Sequence, residues 1–179
     1  MVHRFVGTAS KGLTELNLGY TDCETLPLMK LCTALGHHNR TLKRLNLDGP
    51  LLPSLNEEHS IYLARTLLAS NKSLTALSLK GHHITDSAGS WLAEFLLPHP
   101  CLTELDLRRN ELTTRGVAAF VRPIAHRRVE ALLLLDGNKP TGQTFEEIED
   151  AIAANQGSRN QVVFTSRQDK HSLRAKGPL

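Results

Sequence analysis

The chain has 179 residues, of which 40% are hydrophobic and 22% charged, a composition typical of globular proteins rather than of disordered ones. Aromatic residues make up only 4%, which indicates a core built from aliphatic side chains. No apolar run reaches the roughly 18 residues of a membrane-spanning helix, and residues 1–7 lack the apolar segment of a secretory signal. We therefore expect an intracellular protein whose three cysteines, Cys23, Cys32 and Cys101, are reduced thiols.

The formal net charge of +3 is unevenly distributed along the chain. Residues 156–179 contain five basic residues and one acid, Asp169, whereas residues 1–155 contain 16 basic and 17 acidic residues. The chain is thus predicted to consist of a nearly neutral body over 1–155 and a basic tail over 156–179.

Leucine recurs in a fixed pattern along the body. The segments Leu13–Leu18, Leu42–Leu47, Leu74–Leu79 and Leu102–Leu107 each carry leucine at the first, fourth and sixth positions, and they begin 29, 32 and 28 residues apart. A fifth segment, Val129–Asn138, fits the pattern with one residue of ambiguity. A near-constant period of this length is the signature of stacked structural repeats.

Within each segment, alternating leucines predict a short strand with one face in the core. Apolar residues at helical spacing follow the strands and predict helices over Glu57–Ser70, Ser87–Leu97 and Phe145–Ala154. A further helix is expected over Arg115–Ile124, which Pro123 should end or kink. One strand and one helix cannot enclose a core alone, so the repeats are expected to stack and share one.

The leucine pattern resembles the leucine-rich repeat, L-x-x-L-x-L-x-x-N/C-x-L. Repeats of 28–29 residues that contain a full helix are similar to those of the ribonuclease-inhibitor-like class. The resemblance implies an α/β solenoid of about five strand–helix repeats, with parallel strands on the concave face and helices on the convex face.

The turn position of the repeat departs from the family pattern. Asn110 and Asn138 match it, but the other three repeats have Thr21, Pro50 and His82 there. Because proline has no N–H and a histidine ring does not copy an amide, we expect an incomplete ladder of asparagine hydrogen bonds. The second repeat is also longer, and its extra residues, Pro50–Leu55, are predicted to form an outward loop that contacts a partner.

The second repeat carries a narrower resemblance. The stretch Leu45–Leu52, followed by Glu57-Glu58-His59 and Leu63-Ala64, resembles one animal member of the class, as do Leu74–Leu79 and Gly137–Lys139. Proteins of this kind are intracellular and not known as enzymes, and several relatives are scaffold parts of cilia and flagella. The resemblance therefore implies a cytoplasmic scaffold that is a subunit of a larger assembly, such as a ciliary or flagellar axoneme.

The sequence nominates no catalytic or metal site. The adjacent pairs His37-His38 and His82-His83 lack the spacing of a zinc motif. No phosphate-binding glycine loop and no Gly-x-Ser-x-Gly elbow is present, and no base accompanies the cysteines. We therefore predict a protein that is not an enzyme and that needs no metal or cofactor.

The residues that alternate with the core leucines are predicted to line the concave face. The candidate partner-binding residues are Glu15, Asn17, Arg44, Asn46, Asp48, Lys80, Glu104, Asp106 and Arg108. Their interleaved charges favour docking of a folded protein or peptide, although an ordinary solvated surface fits the same pattern. The alternative function is regulation of an enzyme, by inhibition or GTPase activation, for which Arg108 and Arg109 are the candidate residues.

The fifth repeat and the tail are expected to meet. Leu132–Leu135 are four consecutive leucines, so two of them must face away from the core. The segment 162–164 is predicted to cap this edge as a strand, with a partner protein as the alternative cover. Beyond Thr165 we expect no regular structure. The basic residues there suit an acidic protein surface, whereas nucleic acid is disfavoured because no aromatic residues are interleaved with them.

Overall fold

A computed structural model describes residues 12–21, 24–49, 57–126, 132–141, 143–144, 146–147 and 150, together with strands at 161–163 and 172–174. Strands and helices alternate along the repeats. The elements are β1 (Glu15–Asn17), α1 (Thr25–His38), β2 (Arg44–Asn46), α2 (Glu57–Leu63) with a π-helical continuation (Ala64–Leu68), β3 (Ala76–Ser78), α3 (Asp86–Leu96), β4 (Glu104–Asp106), α4 (Thr114–Ala118), α5 (Val121–His126), β5 (Leu132–Leu134), β6 (Gln161–Val163) and β7 (Ser172–Arg174).

The seven strands form one sheet in the order β1 to β7. Neighbours from β1 to β6 are parallel, and equivalent residues of the first five strands pair without offset. The middle residues of these strands therefore lie side by side: Leu16, Leu45, Leu77, Leu105 and Leu133. Because the register never shifts, one column of leucines runs along the whole array.

The core lies between this sheet and the helices. The leucines that open the second, third and fourth repeats, Leu42, Leu74 and Leu102, are fully buried. The buried side chains are mostly leucine, with Phe120 as an aromatic member of the group. The expected aliphatic core is therefore present.

The register also resolves the ambiguity of the fifth repeat. Leu133 and Leu135 are buried in the core, whereas Leu134 pairs with Asp106 on the opposite face and is half-buried. Of the two leucines expected to face away from the core, Leu134 does so, and the side chain of the other, Leu132, lies outside the described part of the chain.

The first two predicted helices are present with shifted ends. The helix predicted over Glu57–Ser70 is α-helical to Leu63 and π-helical from Ala64 to Leu68. The helix predicted over Ser87–Leu97 lies one residue earlier, at Asp86–Leu96.

Helix α1 was not predicted from the sequence. It packs closely on the π-helical turn: a Cβ added at Gly36 would lie only 2.3 Å from the carbonyl oxygen of Thr66. Gly36 is therefore required by the distance between two backbones.

The helix predicted over Arg115–Ile124 is two short helices. Helix α4 ends at Ala118 and α5 begins at Val121. Pro123 lies inside α5, where it has no N–H to donate to Ala119, four residues earlier, and its ring would clash with that carbonyl. The break therefore lies before the proline rather than at it.

The starts of neighbouring helices are bonded to each other. Thr113 caps α4 by accepting a hydrogen bond from the Arg115 N–H. Thr85 occupies the same position before α3 without a side-chain capping bond, and the carboxylate of Asp86 instead accepts the Thr113 N–H at 2.7 Å and the Thr113 hydroxyl. A Cβ at Gly116 would lie 2.3 Å from Asp86 Oδ1, so this contact between repeats needs a glycine.

The sheet continues into the tail beyond β5. Strand β6, one residue earlier than the segment 162–164, is parallel to β5, and β7 is antiparallel to β6. The expectation that residues beyond 165 lack regular structure is wrong for Ser172–Arg174, because the outer edge of β6 offers backbone groups with which this segment pairs.

Two predicted segments fall wholly or largely outside the described residues. The predicted outward loop Pro50–Leu55 lies wholly outside them. Of the helix predicted over Phe145–Ala154, the described residues Glu146, Glu147 and Asp150 are helical.

The leucine column makes a direct prediction. Leu105 is 2% exposed in the middle of the array, so we expect Leu105→Ala to lower the free energy of unfolding by about 2–5 kcal/mol through the cavity that it leaves. Leu26, which is 61% exposed on α1, is the matched control. Denaturant unfolding of both variants checks this, and equal midpoints for Leu105→Ala and wild type would contradict the core assignment.

Candidate protein-binding face

The face of the sheet opposite the core leucines carries the predicted binding residues, and we call it the concave face. The first residue of β2, Arg44, reaches across β3 to the first residue of β4, with its Nη2 at 3.1 Å from Glu104 Oε2. The residue between them is Ala76, whose small side chain leaves room for this contact. The two side chains are 52% and 32% exposed, so the pair adds little stability. Its effect is to order two charges on the surface.

Two carboxylates of the predicted set are buried. Asp106 is 4% exposed and accepts hydrogen bonds from Arg108, whose Nε lies at 2.9 and 3.0 Å from the two carboxylate oxygens. This bond raises the pKa of Arg108 above its ordinary value. Asp48 is 8% exposed and accepts from the Ser78 hydroxyl and, at 3.1 Å, from the Lys80 N–H. Both were expected to be exposed, but they hold neighbouring groups of the face in place.

The other seven predicted residues are exposed or half-buried. Exposed are Glu15, Asn17 and Arg44, and half-buried are Asn46, Lys80, Glu104 and Arg108. Among the described residues, the charged groups of Glu15 and Lys80 form no ion pair. These two are therefore the charges of the face that remain open to a partner.

The amides of the predicted set stabilise strand ends. Asn17 Oδ1 accepts the Gly19 N–H at 2.9 Å, and Asn46 Oδ1 accepts the Asp48 N–H at 2.8 Å. Each amide therefore closes a turn directly after its strand, and this limits the orientations in which it could meet a partner.

A left-handed turn lies at the rim of this face. The third residue after each of the first five strands has positive φ: Tyr20, Gly49, Gly81, Arg109 and Gly137. Glycine takes this conformation without strain, and its recurrence at three of these positions is a signal that our sequence reasoning missed. At the other two positions, the larger side chain packs against the glycine of the next repeat, so that Tyr20 lies on Gly49 and Arg109 on Gly137.

The asparagine ladder lies just beyond this turn. Asn110 donates to the carbonyls of Leu79 and Leu107 at 3.0 and 2.9 Å, and its oxygen accepts the N–H groups of His82 and Ile84. The amide thus joins two repeats through four backbone groups.

Asn138 makes the same type of bond one repeat later. It donates to Leu107 and Leu135 at 2.9 and 2.8 Å, and it accepts the Leu112 N–H. The third repeat has His82 instead of asparagine at this position, but the hydrogen bond to the preceding repeat is kept. His82 Nε2 is hydrogen-bonded to the Leu47 carbonyl. The expectation that a histidine cannot copy the amide is therefore wrong for this bond. It holds for the other ring nitrogen, Nδ1, which is buried without a partner among the described residues.

A second ladder, which sequence reasoning missed, lies at the other end of the strands. Asn39, Asn71 and His99 each precede a strand by five residues. Asn71 Oδ1 accepts the Ser73 and Leu74 N–H groups at 2.9 Å, and its Nδ2 donates to the Asn39 carbonyl at 3.1 Å. Asn39, Asn71 and His99 lie at a constant distance from the leucine pattern, and this is the signal by which they could have been found.

His99 copies that amide with a ring. Its Nδ1 accepts the Cys101 and Leu102 N–H groups, and its Nε2 lies 2.8 Å from the Asn71 carbonyl. Histidine thus stands once in each ladder, both times in the middle of the array.

Comparison with protein families identifies the repeat. A family model described as Leucine Rich repeat matches residues 70–93 and 99–121, which include β3, α3 and β4. The chain carries leucine-rich repeats. Together with the parallel sheet, this match makes the fold an α/β leucine-rich repeat solenoid, as predicted.

A curated relative and two solved structures are similar to the chain. NACHT, LRR and PYD domains-containing protein 5 of Homo sapiens is 30% identical over 132 residues, which are 73% of this chain and 11% of that protein. The chain thus spans about a tenth of the length of that relative.

The solved structures are less similar in sequence. One, titled Leiomodin-1 Actin-Binding Site 2, has a TM-score of 0.58 at 15% identity and covers 92% of this chain and 78% of its own. The tropomodulin C-terminal domain of Caenorhabditis elegans has a TM-score of 0.57 at 16% identity and covers 92% and 81%. At these identities they show the fold alone.

The described residues contain no group of three or more His, Cys, Asp or Glu side chains arranged to hold a metal ion. No helix of the described part is long and apolar enough to cross a membrane. Cys32 is buried and Cys101 half-buried, while Cys23 lies outside the described residues. Of the two arginines considered for GTPase activation, Arg108 is bound by Asp106, and Arg109 is exposed on the left-handed turn.

The ladder yields a prediction about stability. Asn110→Ala leaves two N–H groups and two carbonyls without their amide partner, so we expect it to cost at least about 2 kcal/mol of unfolding free energy. Asn17→Ala, which removes an exposed amide whose oxygen accepts the Gly19 N–H, should cost less than half as much. Denaturant unfolding compares the two, and an equal loss would contradict the role given to Asn110.

Proposed function

We propose that the chain is a non-enzymatic protein-interaction module that binds another protein on its concave face. The observation that carries this proposal is the division of the charges there. Asp48, Asp106 and Arg108 are fixed by bonds within the face, while Glu15 and Lys80 have no ion pair among the described residues.

A face fixed in this way is preorganised for binding. The sheet holds the side chains at regular spacing, and the internal hydrogen bonds limit their rotamers before a partner arrives. Less conformational entropy is then lost on association. The open charges differ in sign, so a partner would need a complementary pattern, which gives specificity more than affinity.

Arg44 and Glu104 provide a second level of recognition. Their pair is half-exposed, with Nη2 at 3.1 Å from Oε2, so a partner carboxylate could replace Glu104 at small cost. Arginine suits this exchange because its guanidinium offers several donors in a planar fork. The face would therefore bind an acidic side chain near Arg44 and Lys80.

The proposal extends to a cytoskeletal assembly inside the cell. The stretch Leu45–Leu52 resembles the second repeat of leucine-rich-repeat-containing protein thirty-four, whose relatives include scaffold parts of cilia and flagella. The fold is similar to that of a leiomodin-1 segment named as an actin-binding site. These two likenesses support an axonemal or actin-associated partner. Axonemal proteins and actin are therefore the first partners to test in binding assays. The basic tail would then meet an acidic surface of the same assembly.

Regulation of an enzyme is the second candidate function. It requires an arginine that can enter the nucleotide site of a GTPase. The exposed Arg109 meets this requirement better than Arg108, which Asp106 holds. Hydrolysis assays with candidate GTPases separate the two functions, because Arg109→Ala would abolish stimulation there and leave concave-face binding unchanged.

Charge reversal at Lys80 tests the main proposal. In native extract, the tagged chain should elute in a particle much larger than its own 19.8 kDa, and Lys80→Glu should move it toward that mass. Glu94→Lys, on the exposed side of α3, is the matched control and should leave the particle intact. Lys80 is a better test position than Arg44 or Asp106, because reversing those charges also breaks ion pairs within the face.

Two results would contradict the proposal. One is elution of the wild-type chain at its own mass in every extract and salt concentration. The other is a particle that survives Lys80→Glu but is lost with Glu94→Lys, which would move the binding site to the helices.

A further inference from the structure

The junction between the second and third repeats is closed by a histidine. His82 is 2% exposed, and its Nε2 is hydrogen-bonded to the carbonyl oxygen of Leu47. A carbonyl only accepts, so Nε2 must carry the proton of the neutral ring. The other nitrogen, Nδ1, is then a lone pair, and it is buried without a hydrogen-bond partner among the described residues.

The next two junctions of the array are closed by amides. Asn110 reaches the Leu79 carbonyl, and Asn138 reaches the Leu107 carbonyl, at positions equivalent to the bond between His82 and Leu47. An asparagine side chain does not titrate, whereas the histidine ring gains a proton near neutral pH. Of the three equivalent junctions, the one closed by His82 can therefore gain a proton near neutral pH, and the two closed by asparagine cannot.

Protonation of His82 is unfavourable in the folded chain. It would place a charge in the core and an N–H at Nδ1 with no acceptor among the described residues. Burial has the largest effect and lowers the pKa of His82 below its ordinary value of 6.5, against the hydrogen bond to the Leu47 carbonyl, which raises it. Two titratable neighbours also act on the ring. Asp48, beside Leu47 on the second repeat, favours the charged form, and His83, which is exposed and paired with Glu111 of the fourth repeat, disfavours it.

We propose that His82 is a pH-sensitive joint that makes the junction between the second and third repeats open in mild acid, while the junctions closed by Asn110 and Asn138 stay closed. The direction follows from proton binding. When the junction opens, the ring reaches water and binds a proton more readily than in the closed state. Opening therefore becomes more favourable as the pH falls below about 6.5 and levels off at the pKa of the closed state.

The joint lies next to the candidate binding face. Leu47 directly precedes Asp48, whose carboxylate holds Ser78 and Lys80. Opening of the junction would release these contacts and loosen the centre of the face. That consequence for binding rests on the proposed function, whereas the joint itself is independent of it.

Native-state hydrogen exchange tests the joint on the full chain. The reporters are the Leu47 and Gly49 amides, which donate across this junction to Ser78 and Lys80. Corrected for intrinsic exchange, their opening constants should rise by up to about fivefold between pH 6.5 and 5.5, the limit for uptake of one proton by a ring whose pKa is about 6.5 in the open state. The Leu107 and Arg109 amides, which cross the junction closed by Asn138, should change less than twofold.

Two variants assign the effect to one ring. His82→Asn restores the amide of the other junctions and should abolish the acid response at Leu47 and Gly49. His83→Asn removes the exposed neighbour and should leave the response in place. If His82→Asn keeps the full response, or if both junctions respond equally, the joint is not His82.

A spectroscopic measurement holds even where a variant fails to fold. Ring-nitrogen NMR of the wild-type chain should show His82 as the neutral tautomer with its proton on Nε2 at pH 7, with a midpoint below 6.5. A midpoint at or above 6.5, or a proton on Nδ1, would overturn the proposal. A rise in exchange at Leu47 in mild acid with no change in partner binding would count against the proposed function and leave the joint standing.

Discussion

The constraint on which this structure depends is the satisfaction of backbone groups where the strands end. Each strand is three residues long, so the sheet ladder bonds few peptide groups, and the turns on both sides must bond theirs by other means. Two rows of side chains provide those bonds, Asn39, Asn71 and His99 before the strands and His82, Asn110 and Asn138 after them. Removing either row would expose buried N–H and carbonyl groups, which is more costly than losing the surface ion pairs.

The rows also determine the geometry of the concave face. Because the bonds between adjacent repeats recur at the same positions, the strands keep one register, and side chains of the same position form columns. The columns bring Arg44 to Glu104 across Ala76. The geometry of the candidate binding face is therefore a consequence of how the turns are bonded.

The sequence predicted what depends on period and hydrophobicity. Leucine spacing gave the number of repeats and the core leucines, because burial of an aliphatic column tolerates few alternatives. The parallel strands were implied by the resemblance to leucine-rich repeats. It did not predict which concave residues are buried: Asp48 and Asp106 are charged, and their burial depends on partners supplied by other strands. Helix α1 was missed for a similar reason. Glycine disfavours a helix in isolation, and the place of Gly36 inside α1 is explained only by its contact with Thr66 in the next repeat. The break at Ala119 follows from Pro123 only when the helical hydrogen bond is traced back four residues.

The central claim is that the concave face, rather than the helices, meets a protein partner. Site-specific photo-cross-linking tests it most directly, with the reactive group placed at Ser78 on β3 or at Glu94 on α3 and irradiation in native extract. We predict a discrete adduct from Ser78, lost in the presence of excess unlabelled chain, and none from Glu94. A competable adduct from Glu94 with none from Ser78 would contradict it and place the interface on the helical side.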